Sequence, residues 1–216
     1  MTDDDDFPLV HRSRPPEGDR EEPPGVVLLH GRGADEEDLL ALADELPDAL
    51  HVLAVRAPDP LGPGYTWYEL DLSAGGLHAS QPDPGDFARS REALDAFVER
   101  AVEAYDLGSV GLFGFSQGAI LSLASVLARP DRYPWAVALH GYLPEASEPT
   151  EGVAETPVFL GAGEADDVIP EERSRAAGDR LREVGADVTY RTYRAGHGIG
   201  PEELRDASEW VGDRLD

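Results

Sequence analysis

Ser109-Val110-Gly111-Leu112-Phe113-Gly114-Phe115-Ser116-Gln117-Gly118-Ala119-Ile120-Leu121 is the stretch on which the fold of this chain turns. Its first half is an apolar run of strand-forming residues. Its second half opens Ala119–Ala128, apolar almost all round, which predicts a buried helix. Between them stands Gly114-x-Ser116-x-Gly118, so a strand must turn sharply into a helix at a serine. Such a turn strains the serine backbone and lifts Oγ above the sheet edge, while the two glycines leave room where strand and helix cross. Ser116 is the candidate nucleophile.

The same alternation runs outward in both directions. Upstream, Val26–Leu29 is a four-residue apolar run of the kind buried on both faces of a parallel sheet, and it ends in His30-Gly31-Arg32-Gly33. Asp35–Leu46 has helical spacing with an acidic first turn, His51–Ala57 is a third strand stopped by Pro58, and Phe87–Tyr105 is a helix leading into the Ser116 strand. Downstream, Trp135–Leu139 is a strand closed by His140-Gly141-Tyr142-Leu143-Pro144, and Pro157–Leu160 runs into Gly161–Pro170. Helix Glu171–Val184, strand Val188–Tyr193, the glycine-flanked loop Ala195–Ile199 and helix Pro201–Leu215 complete the chain. The alternation predicts an α/β fold, a mostly parallel sheet with helices on both faces. In such sheets the site lies at the carboxyl ends of the strands, where His30-Gly31, Ser116, Asp166 and His197 all fall.

Two stretches break the pattern. Thr2–Asp6 is a like-charge run and Arg14–Pro24 is rich in proline and charge, so residues 1–24 are expected to pack loosely ahead of a 25–216 domain, apart from an edge strand over Phe7–Arg12. Asp59–Pro84 mixes glycine and proline with Tyr65, Trp67, Tyr68, Leu70, Leu72 and Leu77, and is expected to be a long loop over the site.

Composition narrows the function. At 216 residues one domain with a full core is the expectation. The chain has no cysteine, which excludes disulfides and thiolate metal sites. It shows neither a signal peptide nor an apolar span of about 18 residues, so a cytoplasmic protein is expected. Against 44 Asp and Glu stand 18 basic residues, all arginine, for a formal net charge of −26. That charge opposes nucleic acid and anionic membranes as partners. Scattered carboxylates without lysine resemble the composition of proteins from extreme halophiles, where molar salt shortens the screening length to about 3 Å.

A serine hydroxyl becomes a nucleophile when a base takes its proton and a third group fixes that base. With a nucleophile on a strand–serine–helix turn, the partners follow in the order Ser, acid, His. Beyond Ser116 the histidines are His140 and His197. His140 precedes every late strand-end acid, so His197, flanked by Gly196 and Gly198, is the candidate base. The acid is one of Glu164, Asp166 and Asp167. The backbone N–H groups of Gln117, which follows the nucleophile, and of Arg32 in the early His-Gly loop are the candidate oxyanion donors. His30 is read as a buried, hydrogen-bonded loop anchor.

The motifs Leu29-His30-Gly31-Arg32-Gly33, Trp67-Tyr68-Glu69-Leu70, Gly114-Phe115-Ser116-Gln117-Gly118, Gly141-Tyr142-Leu143, Gly163-x-x-Asp166-x-x-Ile169-Pro170 and Gly196-His197-Gly198 together resemble the phospholipase/carboxylesterase family of α/β-hydrolases, which includes acyl-protein thioesterases. The resemblance spans Gly25 to the C-terminus. It implies a compact α/β-hydrolase fold without a cap domain, no metal and no cofactor, with Ser116, Asp166 and His197 as triad and Arg32 and Gln117 as oxyanion donors. It departs from the family pattern in the short polar segment Asp71–Gly85 and at His140, where relatives often carry serine. Tyr65, Trp67, Tyr68 and Leu70, with Tyr142, are expected to line the pocket for the acyl or alcohol group, loop packing being the alternative for Trp67 and Tyr68. The expected function is a serine carboxylesterase that hydrolyses small-molecule esters through an acyl-enzyme. The alternatives are a thioesterase, dienelactone hydrolase or peptidase on the same triad, or a hydrolase-like binding module without turnover.

Overall fold

The computed structural model describes residues 7–150 and 152–215; the run Thr2–Asp6 lies outside them. In chain order the elements are strands β1 (His11–Arg14) and β2 (Gly25–Leu29), helix α1 (Glu36–Leu40), and strands β3 (His51–Val55), β4 (Asp59–Leu61), β5 (Gly64–Thr66), β6 (Leu70–Asp71) and β7 (Gln81–Pro82). Helix α2 (Pro84–Tyr105), β8 (Val110–Phe115), α3 (Gln117–Ala128), β9 (Ala136–Leu139), β10 (Pro157–Gly163), α4 (Glu171–Glu183), β11 (Asp187–Tyr193) and α5 (Pro201–Gly212) follow.

Seven strands form one sheet in the order β1-β3-β2-β8-β9-β10-β11, parallel throughout except for β1, which runs antiparallel to β3. The central strands read as unbroken apolar runs because each is covered twice. Val27 and Leu29 of β2 and Leu53 and Val55 of β3 pack with α2, α3 and α4, whereas Val26, Leu28, Val52 and Ala54 pack with α1 and α5. The polar–apolar alternation of β11 marks its place at the sheet edge, where several of its residues are exposed. The strand order reverses beside β2, so the carboxyl ends of β2 and β8 meet at the switch point that opens a crevice in such sheets. Among the described residues no separate cap covers that edge, and no helix is long and apolar enough to cross a membrane.

Three segments differ from expectation. The helix read over Asp35–Leu46 is a single α-helical stretch, α1, followed by a 3₁₀ turn at Ala43–Glu45. Asp35 caps its start by accepting from the Glu37 N–H at 3.0 Å, but Asp44 and Glu45 place negative charge at the far end, against the helix dipole. The segment before Gly25 is tied down more firmly than its composition predicts: Leu9 and His11 are buried, Phe7 stacks on Tyr105, and the edge strand is His11–Arg14. Asp59–Pro84 is not a plain loop. β4 and β5 form a hairpin around Gly62-Pro63, with φ +59° at Gly62, and β6 pairs with β7.

Candidate active site

Ser116 sits between β8 and α3 with φ 53° and ψ −114°, the strained conformation that the turn requires. The flanking glycines are required by close approach. A Cβ on Gly114 would lie 2.3 Å from the Gly118 carbonyl oxygen, and one on Gly118 would lie 1.9 Å from that of Leu29 on β2. The Ser116 N–H donates to Leu139 O on β9 at 2.9 Å, so strands on both sides of β8 fix the turn.

His197, on the loop between β11 and α5, reaches the serine: its Nε2 lies 2.8 Å from Ser116 Oγ and its Nδ1 lies 2.8 Å from Asp166 Oδ2. Asp166 is buried on the loop after β10. Its Oδ1 accepts the N–H groups of Val168 and Ile169, both at 2.9 Å, which anchors the carboxylate while Oδ2 faces the imidazole. Burial alone would raise this carboxyl, but the hydrogen bonds from His197, Ile169 N–H and His140 outweigh it and hold it below the usual carboxylate range. Of the three acids that the sequence left open, Glu164 and Asp167 are exposed, and Asp166 is the one that meets His197.

A cavity of about 290 Å³ opens at Ser116. Arg32 and Gln117 line it beside the serine, and Leu70, Phe115, Ile120 and Ile169 supply an apolar wall. As the first residue of α3, Gln117 has a backbone N–H with no carbonyl one turn back to bond. Its side chain ties the aromatic segment to the nucleophile turn. Oε1 accepts the Trp67 N–H at 2.9 Å and the Thr66 hydroxyl at 3.1 Å, and Nε2 donates to Tyr68 O at 2.7 Å. The hairpin strand β5 holds the loop that carries Arg32, since Gly33 N–H donates to Tyr65 O and Tyr65 N–H to Ala34 O.

Of the residues expected around the pocket, Tyr68, Leu70 and Tyr142 line the cavity, while Tyr65 and Trp67 do not. Trp67 is fully buried behind it, its indole N–H donating to His30 O at 3.0 Å, so its apolar bulk and its one donor are both satisfied in the core. Tyr65 is half-buried against the core, its ring under the Arg56 guanidinium, which in turn forms a two-pronged ion pair with the buried Glu36. His30 is the anchor its position suggested: Nδ1 bonds to Gly31 O at 2.7 Å and Nε2 accepts the Ala57 N–H at 3.0 Å.

Behind Asp166 lie His140, which the sequence set aside as the base, and Glu203, which it did not single out. His140 Nδ1 is 2.8 Å from Asp166 Oδ2, and its Nε2 is 3.1 Å from Glu203 Oε2, with both side chains fully buried. The closest set of metal-capable donors among the described residues, His140, Asp166 and His197, has its donor atoms within 4.8 Å of one another. Hydrogen bonding accounts for the set, because Asp166 Oδ2 is the shared acceptor of both imidazoles.

A model of the phospholipase/carboxylesterase family matches residues 16–213. The chain belongs to that family. A putative hydrolase, MhqD, of Bacillus subtilis is 31% identical over 193 residues, covering 88% of this chain and 93% of the relative. Acyl-protein thioesterase 1 of Candida albicans is 27% identical over 209 residues, covering 86% and 90%. The crystal structure of a Bacillus cereus carboxylesterase superposes with a TM-score of 0.84 at 25% identity, over 96% of this chain and 95% of that one. The phospholipase/carboxylesterase frame thus accounts for the α/β-hydrolase sheet and for an ester-hydrolase activity. One signal could have found Glu203: it falls on the stripe Glu203, Ala207, Trp210 that α5 buries, an acid in an apolar face.

Proposed function

We propose that the chain is a serine carboxylesterase that hydrolyses small carboxylic esters through an acyl-enzyme on Ser116, His197 and Asp166. The observation that carries this reading is the pair of 2.8 Å contacts joining Ser116 Oγ, the two nitrogens of His197 and Asp166 Oδ2 at the mouth of the cavity. Ser116 Oγ attacks the ester carbonyl as His197 Nε2 takes its proton, and the resulting oxyanion accepts from the Gln117 and Arg32 backbone N–H groups. Collapse expels the alcohol, which leaves with the proton from His197. Water, deprotonated by the same imidazole, then attacks the acyl-enzyme and releases the acid. Asp166 keeps the Nδ1–H tautomer and stabilises the imidazolium. The small apolar cavity favours a short acyl or alcohol group.

A thioester substrate is the second reading, favoured by the acyl-protein thioesterase among the relatives. Labelling with a fluorophosphonate, followed by turnover of p-nitrophenyl esters and acyl thioesters, tests both. Labelling of Ser116 with ester turnover is expected; labelling without turnover of either class would turn the reading towards a binding module. The acidic surface, with a net charge of −26, supports adaptation to high salt. Tm and activity should then climb with KCl into the molar range, and a Tm that is flat with salt would remove that part of the reading.

A further inference from the structure

The strand beside the nucleophile ends in an imidazole that the acyl transfer just described does not use. His140 follows β9 with φ +54°, and its N–H donates to Gly161 O on β10 at 2.8 Å. Room has been made for it and for its partner. A Cβ on Gly163 would lie 2.6 Å from the Ala195 and Gly196 carbonyl oxygens and 3.0 Å from the His140 ring, and one on Gly161 would lie 2.3 Å from Glu203 Oε1. Gly161 thus leaves room for the buried carboxylate, while Gly163 lets both the His197 loop backbone and the His140 imidazole approach.

Proton counting constrains it. A neutral imidazole carries one N–H, yet both nitrogens of His140 face carboxylate oxygens at hydrogen-bond distance in a fully buried site. Two protons must occupy those two gaps. Either His140 is an imidazolium between two carboxylates, or one of the two carboxyls carries the second proton; Asp166, which already accepts the Val168 and Ile169 N–H groups and faces His197, is the less suited to hold it, which leaves Glu203. The ionisable groups facing His140 from the elements around it are Asp166 on the β10 loop, Glu203 on α5 and His197, whose ring centroid is 5.6 Å away; Phe115 presents only its ring, and Tyr193 lies near Glu203. Among the described residues, two anions bond to His140 and no arginine does. Glu203 Oε1 has no hydrogen-bond partner, so Oε2 is the oxygen through which Glu203 meets His140.

Resting on the triad proposed above, we propose that His140 is a positioning residue, held as an imidazolium between Glu203 and Asp166, that shares Asp166 Oδ2 with His197 and so keeps the catalytic base unprotonated to lower pH. The physical reason is twofold. A carboxylate oxygen that already accepts from a cation binds a second imidazolium less strongly, and a positive charge 5.6 Å away opposes another on His197. Burial alone would lower His140, but the bonds and charges of Glu203 and Asp166 outweigh it and raise it above the ordinary histidine value.

Two measurements test this. In the resting wild-type protein, ¹⁵N-histidine NMR at pH about 7, above the ordinary histidine value of about 6.5, should show both His140 nitrogens protonated. An unprotonated His140 nitrogen would place the second proton on the carboxyl that faces it, Asp166 at Nδ1 or Glu203 at Nε2, and overturn the proposal. This measurement needs no turnover, so it stands even if Ser116 fails to label and the esterase reading falls. In the active enzyme, Glu203→Gln and the double variant His140→Ser/Glu203→Gln, which leaves no unpaired buried charge, should move the acidic limb of the kcat/KM–pH profile upward by about one pH unit, the low end for a charge within 4–6 Å. A folded variant of either kind whose acidic limb stays at the wild-type position, or moves down, overturns the proposal, since a purely packing role for His140 would lower activity without shifting the limb.

Discussion

Two buried imidazoles stand on either side of the nucleophile strand, His30 at the end of β2 and His140 at the end of β9, and the structure treats them oppositely. His30 offers Nε2 as an acceptor to the Ala57 N–H, and burial holds it below the ordinary histidine value. His140 is also enclosed, yet its carboxylate partners outweigh burial and hold it above that value. Burial therefore does not decide the charge of an interior histidine; what faces its second nitrogen does. The His30 side works by packing and neutral hydrogen bonds, holding the Arg32 loop and Trp67. The His140 side works by charge, meeting the proposed triad at Asp166.

The largest expected effect breaks the charged side at its hub. Asp166→Asn should lower kcat on the order of 10⁴-fold, through loss of tautomer control over His197. The neighbouring exposed acid is the control: Asp167→Asn should cost less than about tenfold. Steady-state kinetics on the two variants decide the matter, and the reverse order would move the acid one residue along.

Next in size is a break on the packed side. Trp67→Ala removes a fully buried ring and the indole donor to His30 O, and should cost about 3–5 kcal/mol of stability. Because the ring stands behind the cavity wall, preference among acyl chain lengths should barely move. Chemical denaturation together with a chain-length panel checks both; a changed chain-length profile at near-native stability would return Trp67 to the pocket.

Those two sites show what a sequence can reveal of such a chain. The sheet, its parallel strands and Ser116 were legible because each rests on local signals: unbroken apolar runs, a helix apolar on all sides, and glycines forced by a sharp turn. His197 was legible from chain order and its glycine flanks. Asp166 was singled out from Glu164 and Asp167 by its place in the motif Gly163-x-x-Asp166-x-x-Ile169-Pro170 and not by its neighbours; the Val168 and Ile169 N–H groups that close on Oδ1 are a matter of loop geometry. Tyr65 and Trp67 were misplaced because aromatic content does not say which way a side chain points. Tyr65 lies on β5 with its ring against Arg56, and Trp67, just past that strand, is buried with its indole on His30 O, so neither lines the cavity. The His140–Glu203 pair was invisible for a similar reason, as its members are 63 residues apart and meet through the packing of α5 on the sheet.

The finest test reads the contrast between the two histidines as opposite slopes of stability with pH. Unfolded, each titrates at about 6.5. His30 is lowered in the fold, so above about 6.5 both states are neutral and its contribution is whole; as pH falls below that value the unfolded chain takes up the proton first, and stability is lost down to the folded value. His140 is raised in the fold, so below about 6.5 both states are protonated and its contribution is whole; it is lost as pH rises through the folded value. His30→Gln keeps an acceptor for the Ala57 N–H while removing the titration, and should flatten the decline of Tm on the acid side; His51, also lowered by burial, keeps its own share of that decline. The double variant His140→Ser/Glu203→Gln should instead flatten the decline on the alkaline side. Tm measured in steps across about pH 5–9 separates the two windows. Should both substitutions flatten the same side, the two imidazoles would carry the same charge, and the contrast between packed and charged sides of the nucleophile would fail.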